Sequence, residues 1–394
     1  NMKKLLLAAI ISLSTISTAA LAEIKVGIIL GFTGPIESLT PAMRDGARLA
    51  FLEASNSGNL LDGETFTIVE GDSTCTDSAA ATAAAEQLVA DGVVAIMGAD
   101  CSGVTKAINA SVAVPNGILM VSPSATSPAL SKVPDSGTFW RTAPSDAKGG
   151  QILADIALDR GLTSVAITYE NSDYGKGLSE VFAGAFETGG GTVTTNDPHE
   201  NGKGDYSAEV GVLASAGGDA LAVLGYLDQA GGKIVQGALD SGAFDLFVLG
   251  DGMIGQALVD NIGSDLEGSF GSVPGSTSKG ASKFNDLAAA NGMDGTAPYV
   301  AQSYDAAALI ALAIQSGGSA EKKSILTNIL KVGNAPGIKI LPGQLSYGLE
   351  MLASGEAIDY DGATDVEFNV FGDAFGAFLE QEVSGGAFTI VQQR

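Results

Sequence analysis

At 394 residues the chain exceeds what one ordinary hydrophobic core supports, so two domains are expected. Its 45 acidic residues against 20 basic ones give a net charge of −25. Such a surface repels phosphate backbones and excludes nucleic acid and anionic membrane as partners. One histidine, His199, and two cysteines leave little material for a Ser-His-Asp hydrolase or a His-based metal site, and no metal or cofactor is expected.

In chain order, Lys3 and Lys4 precede an apolar run over residues 5–16 and then "STAALA". Small residues at Ala20 and Ala22 suit a cleavage before Glu23. Residues 1–22 therefore read as a secretory signal peptide, too short to span a bilayer. An exported protein follows from that reading. In such a protein, Cys75 and Cys101 most simply form one disulfide, the alternative being two unrelated buried thiols.

"IKVGIIL" (24–30) reads as a strand. A helix follows, with Thr40 as N-cap and Pro41 at its first position. "FTIVEG" is a strand, 77–90 a helix, "GVVAIMG" a strand, 102–113 a helix and "GILMVS" a strand. Apolar strands alternating with crossover helices imply a doubly wound parallel sheet. The pattern restarts with a helix opened by Ser145, and continues through "SVAITYE", "GTVTTN", "ALAVLG", "DLFVLG" and "GSFGSV" with helices between them. Residues 278–332 read as helical and are expected to pack back on the first unit. The tail "VEFNVFGDAFGAFLEQEV" has strand character.

Ligands of doubly wound sheets bind beyond the carboxyl ends of the strands. "GADCSGVT" places Ser102 at a helix N-terminus, where free N–H groups favour an anion. "SPSATSPAL" offers Ser124, Ala125 and Thr126 as closely spaced donors and acceptors. "DYGKG" sets Tyr174 at a loop–helix junction, where it can cover a ligand or simply pack. His199, in "NDPHENGKGD", reads as an exposed loop histidine.

"FVLGDGMIG" contains G-x-G-x-x-G at Gly250, Gly252 and Gly255. A dinucleotide fingerprint belongs to the first turn of its domain, whereas this one follows the fourth strand of the second unit. The glycines read instead as residues that let the chain turn sharply. Asp251 between them is a carboxylate at a strand's carboxyl end, able to pair with a ligand cation. "DYDGATD" hints at calcium, but the twelfth position of such a loop is Val370 rather than Glu, and acidic turns are the better reading.

Together, "IKVGIILGFTGP", "GADCSG" with "GILMVSPSATSPAL", "TFWRTAPSDAKGG", "SDYGKGL" and "PYVAQSYDAA" resemble the branched-chain amino-acid-binding family. These are periplasmic solute-binding proteins of ABC transporters. The resemblance spans nearly the whole chain after residue 22. It implies an α/β fold of two Rossmann-like lobes joined by a three-strand hinge, closing on the ligand. Lobe one would be 23–143 plus 275–374, and lobe two 144–274 plus 375–394. The Cys75–Cys101 pair matches the family's lobe-one disulfide.

By the same resemblance, Ser102, Ala125 and Thr126 hold the ligand carboxylate, with Ser124 adjacent. Tyr174 matches the cleft tyrosine. Asp251 matches the acid that pairs with the ligand amine, one methylene shorter than the usual Glu. Tyr226 and Leu227 stand where the family often has an aromatic, and Leu39 near another commonly aromatic position. Phe32, Leu39, Leu227 and Met253 are the apolar candidates for the side-chain pocket.

The expected function is capture of an amino acid or related zwitterion by a monomer that delivers it to the permease subunits of an ABC importer. The alternatives are a ligand sensor for a regulator or chemoreceptor and, less favoured, an exported enzyme on the same fold.

Overall fold

The computed structural model describes residues 23–394. The signal-peptide reading of residues 1–22 lies outside the described residues.

Two sheets organise the chain. The first contains β1 (Glu23–Leu30), β2 (Thr65–Asp72), β3 (Ala95–Gly98), β4 (Leu119–Ser122) and β5 (Phe139–Arg141), all parallel, in the order β2-β1-β3-β4-β5. The second adds β6 (Ser164–Glu170), β7 (Thr192–His199), β8 (Ala220–Leu224), β9 (Phe247–Leu249) and β10 (Phe270–Pro274). It runs β7-β6-β8-β9-β10, the same winding. A further pair, β11 (Ile338–Ile340) and β12 (Ile358–Tyr360), is parallel and separate. The hairpin β13 (Phe378–Ser384) and β14 (Ala387–Gln393) extends the second sheet antiparallel from β10, with Ser272 opposite Glu380.

The central strands are buried along their whole length, as helices on both faces require. Each winding reverses beside its first strand, between β1 and β3 and between β6 and β8, which sets a ligand crevice at the carboxyl ends of these strands.

The capping chemistry explains the helix starts. Asp77 accepts from Ala79 and Ala80 N–H, Ser145 from Ala147, and Ser172 from Gly175. One expected cap differs. Thr40 is the first helical residue of Thr40–Asn56 rather than its cap, and its hydroxyl donates to the Gly31 carbonyl at 3.2 Å.

The chain passes between the sheets three times, after β5, after β10 and before β13. After β10 it returns to the first sheet. Helix Val300–Gly317 lies along Thr40–Asn56 so closely that a Cβ on Gly46 would stand 2.6 Å from the Val300 carbonyl oxygen. β5 was not anticipated: "FWR" is three residues long, and only its partnership with β4 makes it a strand. Conversely, the strand character of the tail is realised only from Phe378, because before it the segment forms only two isolated bridges, Phe368 with Ala374 and Asp373 with Arg141.

Candidate functional site

Asp100 draws the first sheet's loops together. Its carboxylate accepts from Gly31 N–H after β1 at 2.5 Å, from the Ser73 hydroxyl after β2 at 2.9 Å and from Cys101 N–H at 2.9 Å. Its carbonyl accepts from the Ser124 hydroxyl after β4 at 3.1 Å. Cys75 and Cys101 are disulfide-bonded across the same loops.

Ser102 then opens the helix Ser102–Ile108, its Oγ accepting from Ser127 N–H at 3.1 Å and its hydrogen left to donate. Thr126 is fully buried, and its Oγ1 has no hydrogen-bond partner of acceptable geometry. The Ala125 N–H donates to Ser122 Oγ at 2.9 Å, and its carbonyl accepts from Arg141 at 2.9 Å. Of the four lobe-one residues considered for an anion, Ser102 and Thr126 therefore keep donors in hand, while Ser124 and Ala125 are engaged within the loop.

The second sheet supplies the opposite wall. Tyr174, in the first turn of Asp173–Thr188, donates its hydroxyl to Asp251 Oδ1 at 2.7 Å and accepts from Gly252 N–H at 3.0 Å. Tyr226 stacks on it with ring centroids 5.0 Å apart and planes at 19°. Tyr299, held at φ 64° just before helix Val300–Gly317, donates its hydroxyl to Asp251 Oδ2. Both Asp251 oxygens thus accept from phenols.

Leu39 and Leu227 meet over Gly255, where a Cβ would stand 2.9 Å from Leu39 Cδ2 and 3.2 Å from Leu227 Cδ1. Met253 is buried beside Gly231, and Phe32 is half-buried against the core.

The glycines of "GDGMIG" do not work as expected. None of Gly250, Gly252 and Gly255 has a positive φ, and Gly255 is extended at −177°. Their smallness serves close packing instead. A Cβ on Gly252 would lie 2.6 Å from the Gly225 carbonyl oxygen and 3.1 Å from the Tyr174 hydroxyl.

Electrostatics centre on a carboxylate that sequence reasoning missed. Asp146 begins the helix Asp146–Asp159 with its N–H donating to the Thr126 carbonyl at 2.9 Å, which turns its side chain toward Thr126 and Asp251. It is buried, and its Oδ2 has no partner. Burial first, and the neighbouring Asp251 charge second, push its carboxyl well above the ordinary range, against smaller effects of Thr126 and Arg141. Burial likewise raises Asp251, offset in part by its two phenols.

Arg141 does not neutralise the pair. Its guanidinium is committed to Asp373 at 2.7 Å, to the Ala125 and Ser127 carbonyls and to Ser131. The two buried carboxylates, with the Thr126 hydroxyl beside Asp146, make this wall electronegative and suited to a cation.

Two of these residues lacked a sequence signal that could be trusted. Asp146 follows the capping Ser145 and reads as an ordinary first-turn acid. Tyr299 stands in a loop, and only its left-handed backbone aims it at Asp251.

His199 is a correction. It ends β7 fully buried rather than exposed in a loop, with Nδ1 2.8 Å from Thr168 Oγ1. Burial lowers its pKa to about 4. In "DYDGATD", the Asp361 carboxylate is taken by Lys339 at 2.8 Å, consistent with acidic turns. Among the described residues no helix is long and apolar enough to cross a membrane.

Residues 23–343 match the family model described as periplasmic binding protein. A Leu/Ile/Val-binding protein homolog 3 of Brucella melitensis biotype 1 is 28% identical over 349 residues, 88% of this chain and 93% of that protein. A leucine binding protein from Thermotoga maritima superposes with a TM-score of 0.78 at 24% identity, covering 94% of this chain and 98% of the other. A branched-chain amino acid transporter substrate binding protein from Streptococcus pneumoniae, in complex with isoleucine, gives 0.77 at 23% identity over 95% and 99%.

Proposed function

This chain belongs to the periplasmic binding protein family, and from that premise we propose that it captures a free amino acid or related zwitterion between its lobes and delivers it to an ABC importer. The observation that carries this reading is the buried Asp146–Asp251 pair, with the Thr126 hydroxyl beside Asp146 and the nearest guanidinium, that of Arg141, already committed to other partners. A ligand ammonium between the two acids relieves their mutual repulsion. A ligand carboxylate then meets Ser102 and Thr126, and the apolar side chain meets Leu39 and Leu227, with Tyr174 and Tyr226 closing the wall. Leu/Ile/Val binding in the Brucella relative's name points to the same ligand class.

In this reading lobe one is 23–143 plus 275–374 and lobe two is 144–274 plus 375–394. The protein acts as a periplasmic monomer that docks on membrane permease subunits. Closure desolvates both ligand charges, so each needs a partner in the site.

The test is a thermal-shift and calorimetry panel of L-leucine, L-isoleucine, L-valine and other free amino acids, run on the wild type and on Asp251→Ala. Removing one partner of a buried charge pair costs about 2–5 kcal/mol, so a hit should weaken by roughly 30-fold or more in the variant. Undiminished affinity in Asp251→Ala removes the amine role. Stabilisation by carboxylate-free amines alone removes the Ser102 and Thr126 role.

A further inference from the structure

Asp228, the residue after Leu227, contributes nothing to the charge pair yet crosses between the lobes. Its Oδ2 accepts from Ser38 N–H at 2.8 Å, and its own N–H donates to the Pro35 carbonyl at 3.0 Å. Both sides of this contact are held in place by their own lobes. On lobe one, Gly34 takes φ +112° and its Cα packs against the Thr74 carbonyl, where a Cβ would come within 2.4 Å. Thr33 beside it hydrogen-bonds Asp72. On lobe two, Leu227–Gly231 forms a π-turn closed by Gly231 N–H to the Tyr226 carbonyl at 3.1 Å. Such wide turns recur at functional positions because they re-aim backbone groups.

We propose that Asp228 is the closure latch of the binding reaction, a positioning residue that fastens lobe two to the 35–38 strap of lobe one and so presses Leu39 against Leu227 over the apolar end of the ligand. The geometry follows the chain directly. Leu39 is one residue beyond Ser38, Leu227 is one residue before Asp228, and both leucines pack against the same face of Gly255. Other interlobe bonds run from Ser127 Oγ to the Asp173 carbonyl at 2.8 Å, from Lys106 to the Asp173 carboxylate at 3.3 Å and from the Tyr299 hydroxyl to Asp251, but none of these holds the 35–38 strap as Asp228 does. Because both partners are preformed, the latch exists only when the lobes meet. Its removal therefore acts on escape of the ligand rather than on encounter or on the fold of either lobe.

The inference rests on the amino-acid reading and has its own test. L-Leucine binding is followed by stopped flow in the wild type, Asp228→Ala and Asp228→Asn. In Asp228→Ala the dissociation rate should rise about tenfold with association nearly unchanged, as loss of a charge-assisted hydrogen bond predicts. Asp228→Asn, whose amide oxygen still accepts from Ser38 N–H, should restore the slow rate. The ligand-free melting temperature should be the same in all three proteins. An unchanged dissociation rate, or a ligand-free melting temperature that falls in step with affinity, overturns the latch.

If the wild type does not bind L-leucine, that result counts against leucine as ligand and leaves the latch to a ligand-free measurement. The double variant Ser38→Cys, Asp228→Cys should then cross-link the lobes under mild oxidation. Failure to cross-link sinks the proposal independently of ligand identity.

Discussion

Gly252 carries two constraints. Its N–H donates to the Tyr174 hydroxyl at 3.0 Å, and its Cα packs where a Cβ would stand 2.6 Å from the backbone oxygen of Gly225. Backbone cannot swing aside as a side chain can. Gly252→Ala should therefore destabilise by about 1–3 kcal/mol, the usual range for overpacking, and should weaken ligand binding by moving Asp251 off its two phenols. Gly255→Ala is the control, since its new Cβ meets only the flexible ends of Leu39 and Leu227 at 2.9 and 3.2 Å. Urea denaturation should rank Gly252→Ala well below Gly255→Ala, and equal losses would show that the Gly225 contact is not limiting. At this scale the letters of the sequence mislead in an instructive way. A G-x-G-x-x-G spacing records that backbone must come close to something, and here that something is Gly225, Tyr174 and Leu39 rather than a phosphate.

Among the connecting elements, β5 is fastened to the last of the three passages between the sheets by backbone hydrogen bonds of Arg141 to Gly372 and Ala374 and by a buried ion pair. Arg141 and Asp373 meet at 2.7 Å with both side chains almost wholly out of solvent, and the same guanidinium holds the Ala125 and Ser127 carbonyls of the loop that carries Thr126. Asp373→Ala strands a buried cation and should cost about 3–5 kcal/mol. Arg141→Lys should fail to substitute, because one ammonium cannot span the positions that the guanidinium fork reaches together. Chemical denaturation gives the first number, and a ligand titration of Arg141→Lys reads the loop. Wild-type behaviour in both would refute the tie. The elements of the two windings were legible because buried parallel strands are continuous apolar runs and their helices carry caps such as Asp77, Ser145 and Ser172. β5 was not, because three residues hold too little pattern to read, and Asp146 was not, because its burial comes from a Thr126 carbonyl distant in sequence. His199 misled for a related reason. Its polar neighbours suggest a loop, but β7 runs on to it and inserts its ring beneath Gly225.

For the whole molecule, burial sets two opposing proton linkages. Asp305, enclosed by Tyr360, Ala363 and Thr364, has its carboxyl raised by desolvation from 3.8 to about 6. The folded form thus binds a proton that the unfolded form releases, and stability falls as pH rises from about 4 to 6, by about 3 kcal/mol in all. Burial shifts Glu53, Asp100, Glu170 and the cleft pair in the same direction. His199 does the reverse. Its folded pKa of about 4 lies below the ordinary 6.5, so its stabilisation is complete above 6.5 and is lost as pH falls toward 4, again by about 3 kcal/mol. Between pH 7 and 5 the two effects largely offset in the wild type. Acidification over that interval should favour His199→Gln over wild type by about 2 kcal/mol and disfavour Asp305→Asn by about 1 kcal/mol, read from urea midpoints at each pH. Parallel curves for all three proteins would refute the assignment. Ligand affinity should follow a different course from stability. An ammonium entering between Asp146 and Asp251 has to displace any proton they hold, so L-leucine binding should weaken steadily as pH falls through their raised range even where the fold is unaffected. An affinity that is flat with pH would mean that the ligand's positive charge lies elsewhere.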